Sequence, residues 1–182
     1  PMQSNSLLIT IPSPPYSLDT LRPNTHLAKI AGHLTHNGHN TTIWDYGTLE
    51  TFQRLFPQSL QKTAIERADQ HHTQQTQPHY VNGWEQWKNR KHSCKLQQHH
   101  QTIWNEIAQS IIKLKTLDFI LFNIDSQSDL AICIQIIPFI RHAKPRLTII
   151  ATGKYFQRNT ARLPESLPHF NCIYWGSSPE AF

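Results

Sequence analysis

The chain has 182 residues, a net charge of +5, 38% hydrophobic residues and 16% charged residues. That length suits one domain with a sizeable core, and the modest charge excludes charge-driven disorder for most of the chain. No apolar run approaches the roughly 18 residues of a membrane span. Residues 84–95 hold four basic side chains against one acidic side chain. The rest is nearly neutral, so a surface coated for nucleic acid is not expected.

The three cysteines give no sign of a disulfide framework or a metal site. Cys94, Cys133 and Cys172 are odd in number and lie far apart, without the short spacings of zinc sites. The apolar run at 7–11 is too short for the hydrophobic region of a signal peptide, and no basic residue precedes it. These features predict a cytoplasmic protein, in a reducing compartment.

Five short apolar runs predict the strands of a parallel sheet. Strands that are covered on both faces are continuously apolar rather than alternating. Such runs occur at 7–11, 41–44, 119–122, 147–151 and 172–175. The second is the weakest of them, and it ends at Asp45.

Helical periods lie between these runs. Apolar residues repeat at helical spacing over 27–34, 103–114 and 132–143, and Gly38 is placed to end the first helix. The last segment is apolar nearly all round and contains Pro138, which predicts a buried, kinked helix. The alternation predicts an α/β fold: a doubly wound, mostly parallel five-stranded sheet, Rossmann-like or flavodoxin-like, with helices on both faces.

One segment interrupts the alternation. Residues 61–101 are polar, rich in Gln and His, and show no strand pattern and only a weak helical signal. We expect a single domain over 1–182 with this segment as an insertion. Most of the insertion should lie outside the core, because it buries too little apolar surface to offset the entropy of ordering. Trp84 and Trp87 are the residues in it that could dock.

The loops that follow the strands carry the candidate binding residues, because ligands of such sheets bind at the carboxyl ends of the strands. The first loop is rich in proline and has neither the dinucleotide fingerprint nor a P-loop. The later loops hold small and hydroxyl-bearing residues, which suit amide, ribose and phosphate groups but also cap helices. The candidates are Pro14, Pro15, Tyr16, Leu21, Arg22, Ser126, Gln127, Ser128, Thr152, Gly153, Lys154, Gly176, Ser177 and Ser178.

Four blocks of sequence, in order, resemble the cobalamin-binding N-terminal domain of cobalamin-dependent radical SAM enzymes. The first block runs from the strand at 7–11 to Asp45. The second comprises the entry to the third strand at 117–120 and the serine-containing loop at 124–130, and the third is the pair Thr152-Gly153. The fourth, at 175–182, resembles the closing block of that domain. Within the first block the matching features are the Pro-Pro pair at 14–15, Leu-Arg-Pro at 21–23 and Gly-His at 38–39.

The resemblance implies the strand order 2-1-3-4-5 and a cobalamin held at the carboxyl edge of the sheet. The sequence has no D-x-H-x-x-G motif, and His26 is expected inside a helix rather than in an edge loop. The cobalamin should therefore be base-off, without a histidine on cobalt. Thr152 stands where the family has glycine, so its side chain is expected to limit how closely the nucleotide tail can approach the backbone.

The resemblance also implies what the chain does for its partner. In that family the cobalt carries a methyl group to substrate or assists other radical chemistry, opposite a separate radical SAM domain in cis or in trans. That domain binds the 4Fe-4S cluster and S-adenosylmethionine, and its C-x-x-x-C-x-x-C motif is absent from this sequence. The chain by itself is therefore expected to hold the corrinoid without catalysing a reaction.

Other functions stay open at this stage. The chain could be a stand-alone sensor or scaffold whose insertion binds a protein or, less expectedly, nucleic acid, since Trp84, Trp87 and nearby basic residues combine aromatic and cationic groups. It could also be a doubly wound domain that has lost its ligand. The histidine pairs at 71–72 and 99–100 predict no zinc site, because adjacent residues on a helix do not share a face.

Overall fold

The protein is described by a computed structural model over residues 3–11, 23–58, 83–158, 167 and 169–174. The strands are β1 (Asn5–Thr10), β2 (Asn40–Asp45), β3 (Phe119–Asn123), β4 (Thr148–Thr152) and β5 (Cys172–Tyr174). The helices are α1 (Thr25–His36), α2 (Leu49–Leu55), α3 (Gly83–Lys113), α4 (Gln127–Ala143) and α5 (Lys154–Arg158). The strands form one sheet in the order β2-β1-β3-β4-β5, and every neighbouring pair is parallel. The predicted doubly wound α/β fold is confirmed.

The chain divides into two compact units. One unit comprises Pro1–Thr48 and Ile107–Phe182 and holds the sheet; the other comprises Leu49–Glu106 and holds α2 and most of α3. The predicted insertion at 61–101 falls within the sequence range of the second unit. Among the described helices, none combines the length and the hydropathy that a membrane span requires.

Helix α1 follows the predicted apolar period. Leu27, Ile30 and Leu34 are buried and belong to one cluster with Leu8 of β1 and Leu121 of β3. Burial of each such side chain contributes about 1.5–3 kcal/mol relative to its exposure. Right-handed connections place α1 on one face of the sheet and α4 on the other, because the β1–β2 and β3–β4 crossovers run in opposite directions along the sheet.

The end of α1 confirms the prediction made for Gly38. Its N–H donates to the carbonyl of Thr35, the N–H of His39 donates to the carbonyl of Leu34, and both distances are 3.0 Å. These two bonds make a Schellman motif, which requires a left-handed residue. Gly38 has φ +85°, a conformation that a side chain would disfavour.

Both edge strands and helix α4 are more exposed than their sequences predict. None of the three residues of β5 is buried. None of the six residues of β2 is buried, and Ile43 is 40% exposed, because β2 is an edge strand with only one neighbour. Helix α4 is buried along one side only: Pro138 is exposed, and Phe139 is 53% exposed. The prediction of a buried helix was wrong because a helix packed on a sheet covers it with one face and turns the other away.

Helix α3 is longer than predicted. The apolar period predicts a helix from Ile103, whereas α3 begins at Gly83. Leu96, only 5% exposed, stands seven residues before Ile103 and extends the same apolar stripe. Three of the six residues between Leu96 and Ile103 are Gln, which is a good helix former. Residues 83–101 of the predicted insertion are therefore helical, and the docking predicted for Trp84 and Trp87 lies outside the described side chains.

Candidate functional site at the carboxyl edge of the sheet

The loops that follow β3 and β4 are bonded to each other through their backbones. The N–H of Ile124 donates to the carbonyl of Thr152 at 2.7 Å, and the N–H of Tyr155 donates to the carbonyl of Ile124 at 3.2 Å. The register pairs Asn123 with Thr152, so both strands end at the same level. The second and third blocks of the sequence resemblance therefore lie side by side.

The β3–α4 loop is held by a capping box. The side-chain oxygen of Ser126 accepts from the N–H of Asp129 at 3.1 Å. Asp129 in turn accepts from the N–H groups of Ser126 and Asp125, both at 2.9 Å. Asp129 is only 8% exposed, and its carboxylate lies at the positive end of the helix dipole. Ser126 thus fills the capping role that the sequence left open for it.

Asp125 ties the same loop to α5. One carboxylate oxygen accepts from the N–H of Lys154 at 2.9 Å, and the other accepts from the side-chain amide of Asn123 at 3.1 Å. Asn123 is only 4% exposed, so this bond satisfies a buried polar group. The Lys154 side chain is itself exposed.

Gly153 is required by the protein's own packing. Its φ is +123°, and a Cβ added there would stand 2.2 Å from the carbonyl oxygen of Ile124 and 2.7 Å from that residue's N and C atoms. No side chain fits in that space. The close backbone approach expected at Gly153 is therefore present, but the group that approaches is the β3–α4 loop.

Thr152 is paired with a histidine from α1. The hydroxyl of Thr152, which is 1% exposed, lies 3.2 Å from Nε2 of His26. Burial lowers the pKa of His26, with smaller contributions from Lys29 and Lys154; Asp125 acts in the opposite direction. The neutral imidazole is therefore favoured near neutral pH. His26 does lie inside α1, as expected, but in its first turn, where its ring reaches the carboxyl edge.

Six of the predicted site residues fall within the described part of the chain. Ser126 caps α4, Gln127 and Ser128 begin it, and Thr152, Gly153 and Lys154 join β4 to α5. Gln127 is exposed and Ser128 is half-buried. Asp45, the last residue of β2, accepts from the N–H of Gly47 at 2.9 Å in a local turn. The predictions at Pro14, Pro15, Tyr16, Leu21, Arg22, Gly176, Ser177 and Ser178 lie outside the described residues.

Sequence reasoning passed over three residues that organise this edge. Asp125 and Asp129 link the loops, and His26 reaches Thr152 from another element. A signal existed for Asp129, because Ser126 three residues before an acidic residue is the pattern of a capping box. No local pattern could have paired His26 with a threonine 126 residues away.

The cysteines and the histidine pair at 99–100 lie in different surroundings. Cys133 lies in the helical period at 132–143 and Cys172 in the apolar run at 172–175, so both are predicted to be in the core. Only Cys133 is buried, which raises its pKa well above the usual value, whereas Cys172 is exposed. His99 and His100 act as donors to the last carbonyls of α2: Nε2 of His99 lies 2.7 Å from Arg54 O and Nε2 of His100 lies 3.1 Å from Leu55 O. Within the described residues, no three His, Cys, Asp or Glu side chains converge as metal ligands.

Comparison of the chain with protein-family models, with curated proteins and with solved structures gives no match. The resemblance to cobalamin-binding domains therefore stays a prediction that rests on the four blocks of sequence and on their order along the chain.

Proposed function

We propose that the chain binds cobalamin and serves as the corrinoid-holding domain of a cytoplasmic radical SAM methyltransferase or related radical enzyme. One observation supports this most. The sheet has the order β2-β1-β3-β4-β5, and the two described loops that carry the resemblance lie bonded together at its carboxyl edge. That edge is where ligands of doubly wound sheets bind.

The chemistry of the edge suits a corrinoid. Such a ligand carries amide side chains and a nucleotide tail, so hydroxyl and amide groups of the protein are matched partners. Gln127 is exposed, Ser128 is half-buried and Lys154 is exposed, so all three side chains can reach a ligand. Thr152 and Ser126 already bond within the protein, which makes them supports of the site rather than its leading contacts.

The proposed role of these residues is binding and orientation. Gln127 and Ser128 would bond the amide groups of the corrinoid, and Lys154 would meet the phosphate of its tail. Cobalamin, when bound, supplies a cobalt that can carry a methyl group. The chemistry on S-adenosylmethionine belongs to the separate domain that holds the 4Fe-4S cluster.

A binding experiment tests the proposal directly. The purified chain is incubated with excess hydroxocobalamin and desalted, and its visible spectrum is recorded. We expect about one corrinoid per chain and no retention of flavin or nicotinamide nucleotides. Loss of the Ser128 hydroxyl in Ser128→Ala should weaken binding by about 0.5–1.5 kcal/mol, or roughly 2- to 13-fold. Gln109→Ala, at an exposed position of α3, is the control. A colourless protein after desalting contradicts the proposal.

The cobalt environment gives a second readout. We expect base-off cobalamin without a histidine of the protein bound to cobalt. Among the described residues, His26 is the histidine at this edge, so its substitution tests that expectation. His26→Ala should leave the visible spectrum of bound cobalamin unchanged. A nitrogen-ligated spectrum that disappears in His26→Ala would overturn the prediction about cobalt ligation while preserving corrinoid binding.

One observation favours the alternative function, that of a stand-alone scaffold. Residues Leu49–Glu106 form a compact unit of their own, which a partner-binding segment would need. Within it, the Arg54 side chain pairs with Glu106. The rings of Phe56 and His100 make an edge-to-face contact, with their centroids 5.3 Å apart. A chain that binds no corrinoid but is folded would favour this second function.

A further inference from the structure

The outward face of α4 carries no Asp, Glu, Lys or Arg. The only such residues of the helix are Asp129, which is buried, and Arg141, which bonds to the carbonyls of Leu147 and His169. The α4 face consists of the exposed residues Ala131, Ile134, Gln135, Pro138, Phe139 and His142. These positions recur at intervals of three and four, so they form one stripe about 16 Å long.

Large apolar side chains stand on this stripe. Ile134 is 41% exposed and Phe139 is 53% exposed, four to five residues apart along the helix. Isolated exposed apolar residues are ordinary, but a contiguous uncharged stripe marks a surface that packs against something. The outer side of a helix on a solvated sheet is normally charged or polar.

We propose that the α4 face packs against the α4 face of a second copy of this chain, antiparallel about a two-fold axis at Gln135. Ala131 and Phe139 each lie four residues from Gln135, in opposite directions. The two-fold axis therefore sets Phe139 against the partner's Ala131, twice. A large side chain facing a small one is the pairing by which helices interdigitate. A parallel arrangement would oppose two phenylalanines and leave a gap between two alanines.

Charge and hydrogen bonding agree with a second copy as the occupant. The stripe has no ionised side chain, so a copy brings no like-charge repulsion to this contact, although the chain as a whole carries +5. Pro138 has no N–H, so the carbonyl of Ile134 lacks its helical donor on this same face. The two-fold axis brings the side-chain amide of the partner's Gln135 beside that carbonyl, and this amide can donate to it.

The size of the stripe sets the strength of association. One helix face per copy buries less than the roughly 800 Å² per partner of a stable interface. The dimer is therefore weak, with a dissociation constant on the order of 10–100 μM. The contact does not depend on corrinoid binding.

Sedimentation velocity over about 5–500 μM protein tests the proposal. The parent chain should pass from monomer to dimer across this range. Phe139→Glu should weaken dimerisation at least about 10-fold, because it places a carboxylate against an apolar surface. Leu49→Glu is the control, since Leu49 is 62% exposed and belongs to α2; it should dimerise like the parent. Far-UV circular dichroism confirms that each variant is folded.

A charge pair tests the antiparallel register. Adding Ala131→Lys to Phe139→Glu should restore dimerisation, because each introduced carboxylate then faces an introduced ammonium group. As a readout independent of these variants, Gln135→Cys in a Cys94→Ser, Cys172→Ser background should cross-link to itself on mild oxidation, and Gln109→Cys should not. A parent chain that stays monomeric throughout overturns the proposal. The proposal is also overturned if Phe139→Glu dimerises as strongly as the parent, or if the double variant Phe139→Glu, Ala131→Lys stays monomeric.

Discussion

The two edges of the sheet use polar side chains in different ways. At the amino edge, Arg141 donates to the carbonyls of Leu147 and His169 and to Asn171, and Lys144 donates to the carbonyl of Leu114 at 2.6 Å. These cations lie at the carboxyl end of α4, where the helix dipole is negative. At the carboxyl edge the charged groups that bond within the network are the carboxylates of Asp125 and Asp129, beside the start of α4, where the dipole is positive.

The comparison shows that a polar network does not by itself indicate a binding site. Both edges have one, and in both it bonds the protein to itself. The carboxyl edge differs in what remains beside its network: the exposed side chains of Gln127 and Lys154 and the half-buried hydroxyl of Ser128. Substitutions can therefore be sorted into those that break the fold and those that change only ligand binding.

The largest effect is expected at Gly153. Gly153→Val would force a Cβ against the backbone of Ile124 and a β-branched residue into φ +123°, so we expect a loss of about 3 kcal/mol or more of unfolding free energy. Urea unfolding followed by far-UV circular dichroism measures it. Gly32→Ala is the matched control, because Gly32 is helical and a Cβ there meets nothing within 4 Å; it should stabilise slightly. An unchanged urea midpoint in Gly153→Val would contradict the conclusion that the backbone of Ile124 leaves no room for a side chain at this position.

Arg141 tests the amino edge. Arg141→Met keeps the stem but removes hydrogen bonds to Leu147, His169 and Asn171, so we expect a loss of about 1.5–3 kcal/mol in unfolding free energy. Arg146→Met, at an exposed position, should change the urea midpoint little. If cobalamin binds the parent, Arg141→Met should bind it with the parent's dissociation constant. Weakened binding would show that the two edges do not act separately.

Ser126 and Ser128 have different roles in the β3–α4 segment: Ser126 caps the helix, and Ser128 is proposed to bind the ligand. Ser126→Ala removes the cap of α4 and should cost about 1 kcal/mol of unfolding free energy. Ser128→Ala should change stability by less than about 0.5 kcal/mol, with its main effect on cobalamin retention. Thermal unfolding and corrinoid titration of both variants make the comparison. If Ser126→Ala left stability unaltered, the capping box would contribute nothing measurable.

The smallest effect concerns pH. Burial lowers the pKa of His26 in the folded state below the usual 6.5, so the unfolded state takes up the proton first as pH falls. Protonation therefore costs the folded state stability as pH falls through 6.5 and below it. Stability measured between pH 7.5 and about 5 should fall less in His26→Gln than in the parent. His36→Gln, at an exposed position in the same helix, should follow the parent curve. Parallel curves for His26→Gln and the parent would contradict the assignment.

Local patterns in the sequence determined the sheet and the helix α1. Apolar runs of strand length, the period of Leu27, Ile30 and Leu34, and Gly38 after it are each readable from neighbouring residues, since backbone sterics and burial act over a few positions. The same patterns misjudged α4, whose composition is apolar but whose outer face is exposed, and α3, whose polar first half is helical.

The sequence by itself determined which residue types follow each strand, and the strand order follows from the resemblance in those blocks. Only the tertiary structure decided what those residues bond to. Ser126 caps a helix, Gly153 accommodates the Ile124 backbone, and Thr152 meets His26 from an element 126 residues away. The physical reason is that strand and helix patterns are local in sequence, whereas the partner of a buried hydroxyl or of a close backbone approach is chosen by the crossover connections that bring distant loops to one edge.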